Sequence, residues 1–182
     1  MVSVHASGIS YNGIDFSRVN TCNPLLVETT IHVREKINFW NIGIQEWLRK
    51  CIYNRCNIKS KGLSQLYVFA VSAMWHGFYI AYYFSFFIWF AQLYLQGIIF
   101  KYCKNGKAPL VKIYKKMGIF GYALLWFLVH MSFSHCGAFF LILEGYYGIQ
   151  LFLKLYGVPQ ILLFVAIAIF SNIRPPRDDP TD

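Results

Sequence analysis

The sequence predicts an all-α, polytopic integral membrane helical bundle, and three observations support this. The 182-residue chain is 57 % hydrophobic and only 14 % charged, with a mean hydropathy of +0.42, whereas soluble domains carry about 25 % charged residues. The charged residues are bunched, which leaves uncharged stretches at 62–100, 117–143 and 155–173. Because about 20 apolar helical residues cross a bilayer core, we expect about three or four membrane helices. This composition argues against a soluble enzyme and against a disordered chain.

The net charge of +9 comes from 17 basic and 8 acidic residues. The basic residues concentrate at 34–61 and 101–116, as in segments that face the cytoplasm and anionic headgroups. We therefore predict no nucleic-acid partner. If both segments face the cytoplasm, an even number of crossings separates them, which favours a broken or re-entrant arrangement of residues 64–100. The segment 101–116, interrupted by Pro109, is predicted to be a basic loop.

Four regions follow along the chain, beginning with a polar N-terminal loop region at residues 1–33 that holds short ordered pieces. This region lacks the basic start and continuous apolar core of a signal peptide. Residues 34–63 are predicted to form one basic amphipathic helix, which suits the membrane interface and equally suits packing on other protein. Its apolar residues recur every three or four positions: Ile37, Trp40, Ile44, Trp47, Leu48 and Cys51.

The third region, residues 64–173, is predicted to hold the transmembrane helices. One helix over all of 64–100 would overshoot the bilayer, and we expect a break near His76 and Gly77 because Gly weakens a helix. Further membrane segments are expected at 118–143 and 155–173. The fourth region, residues 174–182, is a polar Pro-rich tail.

Three histidines lie inside the uncharged stretches, and ionisable residues in a membrane are candidate functional residues. His130 and His135 are five positions apart, about 140° around a helix, so they do not share a face. The five cysteines include no C-x-x-C pair and predict neither a disulfide framework nor a zinc site. No metal site is predicted, and each of these two histidines is interpreted as a hydrogen-bonded packing residue.

His76 differs because of its neighbours. Gly77 removes side-chain bulk beside the imidazole, and the aromatic residues around it can wall an apolar pocket with polar tips. Asn41 lies upstream, between Trp40 and Ile42. A histidine and a carboxamide suffice for acyl transfer to an alcohol: the histidine is the general base, and the carboxamide orients it or donates to the developing oxyanion.

Five further residues are predicted to line the substrate path: Trp40, Gln45, Trp75, Tyr79 and Tyr83. Gln45 lies one helical turn after Asn41 and is placed to support it by hydrogen bonding. A headgroup-facing position is an equal alternative for this glutamine. Tyr82 is a further candidate for the acceptor path. Packing or anchoring is the alternative for the aromatic residues.

At these positions the sequence resembles the membrane-bound O-acyltransferase family, in its lysophospholipid acyltransferase branch. The W-N-I-x-x-x-x-W-L pattern of that branch runs here from Trp40 to Leu48. Its S-A-x-W-H-G-x-Y-x-x-Y-Y pattern runs from Ser72 to Tyr83. Two shorter upstream elements also match the branch: Asn12, Gly13 and Asp15 in the first, and Val27, Glu28 and Thr29 in the second.

The resemblance implies a helical membrane enzyme that moves a fatty acyl group from acyl-CoA to the free hydroxyl of a lysophospholipid, in phospholipid remodelling. It maps the catalytic histidine to His76 and the motif asparagine to Asn41. Acyl-CoA is then a co-substrate, with no further cofactor, and it enters a membrane tunnel from the cytosolic side. The basic segments would suit its phosphates. The endoplasmic reticulum membrane is the expected location.

The sterol and diacylglycerol acyltransferase branch has an acidic, double-tryptophan element before its asparagine, which residues 37–41 lack. This argues against that branch, and one departure, in length, limits the resemblance. Family members are much longer, so the chain is expected to be the C-terminal part of an incomplete bundle, with a missing N-terminal half or a membrane partner. Two alternatives stay open: a non-catalytic or truncated subunit that retains the fold, and an enzyme of the family with another lipid or a protein as acceptor.

Overall fold

The computed structural model describes residues 8–11, 14–16, 21–103, 109–143, 145–154 and 157–173. The chain forms two compact units, Met1–Ser64 and Gln65–Asp182. Each is described by itself below.

The N-terminal unit begins with a β-hairpin. Strand β1 (Gly8–Tyr11) pairs antiparallel with β2 (Ile14–Phe16), with Tyr11 opposite Ile14. Helix α1 (Pro24–Thr29) follows. The Asn23 side chain accepts a hydrogen bond from the Leu26 amide (3.2 Å), and a proline suits the first helical turn because its missing N–H would have no partner there.

Two further helices cover most of the predicted basic amphipathic segment, and they correct the prediction of a single helix. Helix α2 spans Val33–Trp40 and α3 spans Ile42–Cys51, followed by a 3₁₀ turn at Tyr53–Arg55. The helix divides at Asn41 because the Ile42 amide donates to the Thr21 carbonyl (2.9 Å) instead of to the preceding helical turn. Apolar periodicity alone does not reveal such a break, since it continues on both sides.

The second unit begins within a helix that is interrupted near Gly77, as the sequence predicts. Helix α4 (Lys61–His76) ends at the break and α5 (Ile80–Cys103) starts after it, which confirms the predicted interruption. Gly77 has φ of +128°, a backbone conformation that residues other than glycine rarely adopt. Phe69 of α4 contacts Phe86 and Phe90 of α5, at ring-centroid distances of 6.2 and 5.9 Å, so the two helices fold back on each other.

Part of the expected basic loop is helical instead. Helix α6 spans Pro109–Met117, because proline begins a helix as readily as it interrupts one. After a turn at Gly118 (φ +55°), helix α7 runs from Ile119 to Leu141. A Cβ added at Gly121 would lie 2.9 Å from the Met117 Cβ, so this glycine permits the close approach of α6 and α7.

Two shorter helices complete the unit. Helix α8 (Gly145–Lys154) was not predicted, and α9 (Val158–Asn172) falls within the predicted membrane segment 155–173. Among the described helices, α5 (24 residues) and α7 (23 residues) are long and apolar enough to cross a membrane, and α9 is a shorter apolar helix. The predicted all-α membrane fold is confirmed, with strands confined, in the described part of the chain, to the N-terminal hairpin.

A ladder of polar contacts joins the apolar helices of this unit. On α5, Ser85 donates to the Cys136 carbonyl (3.0 Å) and Gln92 to the Ser132 hydroxyl (2.8 Å). The Trp89 indole, between them, donates to the Phe133 carbonyl (3.4 Å). These three donors recur at helical spacing, so one face of α5 is fixed along α7. Such bonds are used between membrane helices, where apolar burial contributes little to association.

Candidate active site

His76 is the last residue of α4 and lies half-buried in a cluster of aromatic rings. Its ring centroid lies 4.8 Å from Trp75 and 5.5 Å from Tyr82. Phe86 lies 5.3 Å away and Phe140, from α7, 5.0 Å away. The rings of Trp75 and Phe140 stand nearly perpendicular to the imidazole, at 85° each. This geometry fixes the imidazole by edge-to-face contacts.

Phe140 joins the helices around His76. Its ring contacts Tyr82 (4.8 Å), Phe86 (5.9 Å) and Trp89 (5.7 Å) in addition to the imidazole. Three turns of α5 thus meet the end of α7 through one side chain. Within the described residues the His76 imidazole makes ring contacts and no hydrogen bond, which leaves its nitrogens available for a reacting group.

Gly77 shapes the open side of this cluster. A Cβ added there would lie 3.7 Å from the nearest ring atom of Tyr82, an ordinary contact distance. Glycine is therefore needed here because of the backbone conformation, with φ of +128°. The lack of side-chain bulk, which the sequence suggests as the reason, matters less. The break that Gly77 allows turns the chain away immediately after the imidazole.

An apolar rim surrounds the break. Trp75 and Tyr79 are each about half exposed, and Phe78 is 88 % exposed. Tyr79 contacts Tyr82 at 5.9 Å, so two of the predicted substrate-path residues, Trp75 and Tyr79, lie in or beside the cluster. Tyr83 has no ring contact with it among the described residues.

Sequence reasoning missed two members of the cluster, Phe86 and Phe140. Tyr82 is a candidate for the acceptor path, and Phe86 could have been added to it because the two are four residues apart and share a helix face. Phe140 carries no local signal, since its place beside His76 depends on how α7 packs against α5.

Asn41 lies in the N-terminal unit, at the break between α2 and α3. Asparagine at such a position commonly caps the following helix with its side chain, but Asn41 makes no side-chain cap hydrogen bond. Its backbone carbonyl instead accepts from the Gln45 amide (2.9 Å). The backbone at Asn41 is thus fixed, while its half-buried carboxamide makes no hydrogen bond to any of the described residues.

The remaining predicted residues of this unit flank Asn41. Trp40, the last residue of α2, is 50 % exposed. Gln45 is half-buried one turn into α3. Within the described residues its side chain makes no hydrogen bond to Asn41, so the predicted side-chain support is absent and the link runs through the backbone.

The other membrane histidines lie in packing environments. His130 stacks on Trp126 at 5.0 Å and 17°. His135 is buried, and its Nδ1 lies 3.0 Å from the Gln160 amide nitrogen, which also contacts the Cys136 sulfur. No group of three metal-ligating side chains occurs in the described ranges.

Comparison with known proteins identifies the family. The membrane-bound O-acyltransferase family model matches residues 3–141. The lysophospholipid acyltransferase of Schizosaccharomyces pombe is 28 % identical over 91 % of this chain and 35 % of its own length. Lysophospholipid acyltransferase 6 of Drosophila melanogaster is 36 % identical over 44 % of the chain and 12 % of its length. The membrane-bound acylglycerophosphatidylinositol O-acyltransferase of Danio rerio is 22 % identical over 85 % of the chain and 32 % of its length.

The chain spans about a third of the length of the curated relatives that it matches along most of its own length. The family match includes both motif segments, that of Asn41 and that of His76, and it extends to the end of α7. Together with the apolar helices, this match shows that the chain belongs to the membrane-bound O-acyltransferase family.

Proposed function

We propose that this chain carries an acyl-transfer centre that moves a fatty acyl group from acyl-CoA to the free hydroxyl of a lysophospholipid, in the endoplasmic reticulum membrane. The observation that carries the proposal is the His76 imidazole, held by aromatic rings at the Gly77 break. The names of the matched relatives support the acceptor class.

His76 is the proposed general base. Its imidazole takes the proton of the acceptor hydroxyl while the hydroxyl oxygen attacks the thioester carbonyl carbon. The carbon–sulfur bond then breaks, and the imidazolium returns the proton to the departing CoA sulfur. General-base catalysis of this kind contributes about 10²–10⁴ to the rate.

Asn41 is proposed to assist through its carboxamide, either by orienting the imidazole or by donating an N–H to the developing oxyanion. The missing cap bond supports this role, because the side chain is not engaged in ending or starting a helix. Losing a comparable oxyanion donor costs about 10²–10³ in rate.

The substrate path is proposed to run over the exposed aromatic rim. Trp75 and Tyr79 offer apolar surface beside the imidazole, which suits an acyl chain. Trp40 and Gln45 are proposed to contact substrate beside Asn41. Tyr83, whose ring makes no contact with the cluster among the described residues, is also proposed to line the path.

The first prediction concerns His76→Ala. Membranes containing the full chain receive labelled oleoyl-CoA and lysophospholipids with choline, ethanolamine, serine or inositol headgroups. We expect the wild type to incorporate label and His76→Ala to lose incorporation at unchanged expression, because the base is gone. Asn41→Ala is expected to lower turnover about 10²-fold.

The matched control is His130→Ala, since His130 is also a half-buried membrane histidine and stacks on one ring. We expect normal incorporation from this variant. Normal turnover by His76→Ala would refute the mechanism. Absence of incorporation in wild-type membranes, with every acceptor, would contradict acyl transfer by this chain acting alone and favour the non-catalytic subunit.

A further inference from the structure

Lys36 is the largest fully buried side chain of the described residues, with 0 % exposure. Its ammonium group donates a hydrogen bond to the backbone carbonyl of Val27, near the end of α1. A buried ammonium is unfavourable in itself. Burial lowers the pKa of Lys36, and the nearby Glu28 carboxylate opposes this in part. The chain thus places a charged group where an apolar one would pack at lower cost.

The position of Lys36 relates it to Asn41. Lys36 lies in the middle of α2, the helix that ends at Trp40 immediately before Asn41. By binding the Val27 carbonyl, it fixes α2 against α1 in one register. The apolar core between these two helices is small, with Val27 and Val33 as its buried residues, so van der Waals packing alone specifies that register weakly.

Two backbone hydrogen bonds continue this anchorage up to Asn41. The Asn23 amide donates to the Phe39 carbonyl (2.9 Å), two residues before Asn41. The Ile42 amide, one residue after it, donates to the Thr21 carbonyl (2.9 Å). Both partners belong to the segment that leads into α1. Asn41 therefore lies between two backbone hydrogen bonds to the segment that leads into α1, the helix whose Val27 carbonyl Lys36 binds.

We propose that Lys36 is a positioning residue for Asn41: its bond to Val27 holds α2 on α1 so that the hydrogen bonds at Phe39 and Ile42 fix the Asn41 carboxamide. This inference rests on the proposed function for the role of Asn41 in the reaction. It assigns Lys36 no contact with substrate.

Lys36→Met separates positioning from simple stabilisation. Methionine fills nearly the same volume but removes the hydrogen bond to the Val27 carbonyl, and the loss of one partner of a buried polar contact is destabilising in either role. A lysine needed only for stability would, when replaced, weaken protection evenly throughout residues 21–55, whereas a lysine that sets the register would weaken it at the Asn23 and Ile42 amides. The matched control is Glu46→Gln, which also removes one charge at nearly constant volume, but from a side chain of α3 that is 53 % exposed and pairs with Lys50 at 2.5 Å.

The experiment uses the full chain in membrane nanodiscs, with two readouts. Amide hydrogen exchange is measured throughout residues 21–55, and kcat and KM are measured with oleoyl-CoA and the lysophospholipid that the wild type uses. For Lys36→Met we expect faster exchange at the Asn23 and Ile42 amides than elsewhere in this range. We also expect kcat to fall about 10- to 100-fold at unchanged KM, because small misplacements of a reacting group cost up to about 10²-fold. Glu46→Gln should match the wild type in both.

Unchanged exchange at Asn23 and Ile42 in Lys36→Met would overturn the proposal. So would loss of protection across the whole range, which indicates a structural role, or altered exchange with unchanged kcat. If the wild type has no turnover, the proposed function fails, but the exchange pattern still decides whether Lys36 fixes the Asn41 break.

Discussion

At the residue scale, Gly77 is the position where the site depends most directly on one amino acid. Its φ of +128° places His76 at a sharp turn in the chain, and space for a Cβ exists, since the nearest ring atom would be 3.7 Å away. Substitution there therefore tests backbone conformation without a steric clash.

We predict that Gly77→Ala lowers both stability and turnover. A non-glycine residue held in such a conformation costs about 1–3 kcal/mol, and relaxation of the turn would move the imidazole relative to Phe140. Thermal unfolding in detergent and acyl-transfer turnover measure the two effects.

Gly97→Ala is the control, because Gly97 lies within α5 with nothing within 4 Å of an added Cβ. It should be neutral or stabilising by up to about 1 kcal/mol. If both variants behaved alike, the strained conformation of Gly77 would have no part in the site.

The sequence identifies residues whose signal is local and misses those whose signal is not. His76 and the break after it follow from a motif and a glycine. The choice between Tyr82 and Tyr83 requires the helix phase, which the structure gives as Tyr82 facing the imidazole. Phe140 could not be predicted, because its contact with His76 joins residues 64 positions apart through the packing of α7 on α5.

At the element scale, the same limit explains the divided amphipathic helix. The pattern of apolar residues continues through Asn41, but a tertiary hydrogen bond from Ile42 to Thr21 replaces the helical one. Likewise, Pro109 correctly marks a boundary in the basic segment, and the structure shows that it begins α6. Local patterns predict where elements change, and tertiary contacts decide what lies on each side.

The contact between Gln92 and Ser132 gives a prediction about how α5 and α7 associate. A double-mutant cycle with Gln92→Ala and Ser132→Ala should give a coupling energy of about 0.6 kcal/mol, the average for hydrogen bonds between membrane helices. The cycle is preferable to either single variant because the Gln92 Oε1 is buried without a partner in the described structure. Truncating Gln92 to alanine therefore removes an unsatisfied buried acceptor, which is favourable, together with the hydrogen bond to Ser132, which is unfavourable.

Equilibrium unfolding in bicelles provides the four free energies. Ser134→Ala, on the exposed side of α7, replaces Ser132→Ala in a control cycle and should show no coupling to Gln92. Equal coupling in both cycles would contradict the specific contact and indicate a general loosening of α7.

At the scale of the whole molecule, the sequence predicts the class of fold from composition alone, because apolar stretches free of charge have few other stable environments. The spatial arrangement of the helices in the second unit could not be predicted. Helix α8 has no strong pattern of apolar residues, and the polar ladder joins residues that are distant in sequence. The net charge of +9 also belongs to this scale. Membrane topology explains such an excess of positive charge, but an anionic co-substrate would also be attracted by it.

The salt dependence of KM separates these two explanations. Exposed lysines on α6, at 112, 115 and 116, lie in the segment proposed to attract CoA phosphates. Raising NaCl from about 50 to about 500 mM shortens the screening length to roughly 4 Å. We predict that KM for oleoyl-CoA rises several-fold while kcat is unchanged.

The oleoyl thioester of N-acetylcysteamine, which lacks phosphates, should show no such rise. Changing the three lysines to glutamine should raise KM at low salt and flatten its salt dependence. Equal salt dependence for both donors would assign the basic segments to topology and exclude them from donor binding.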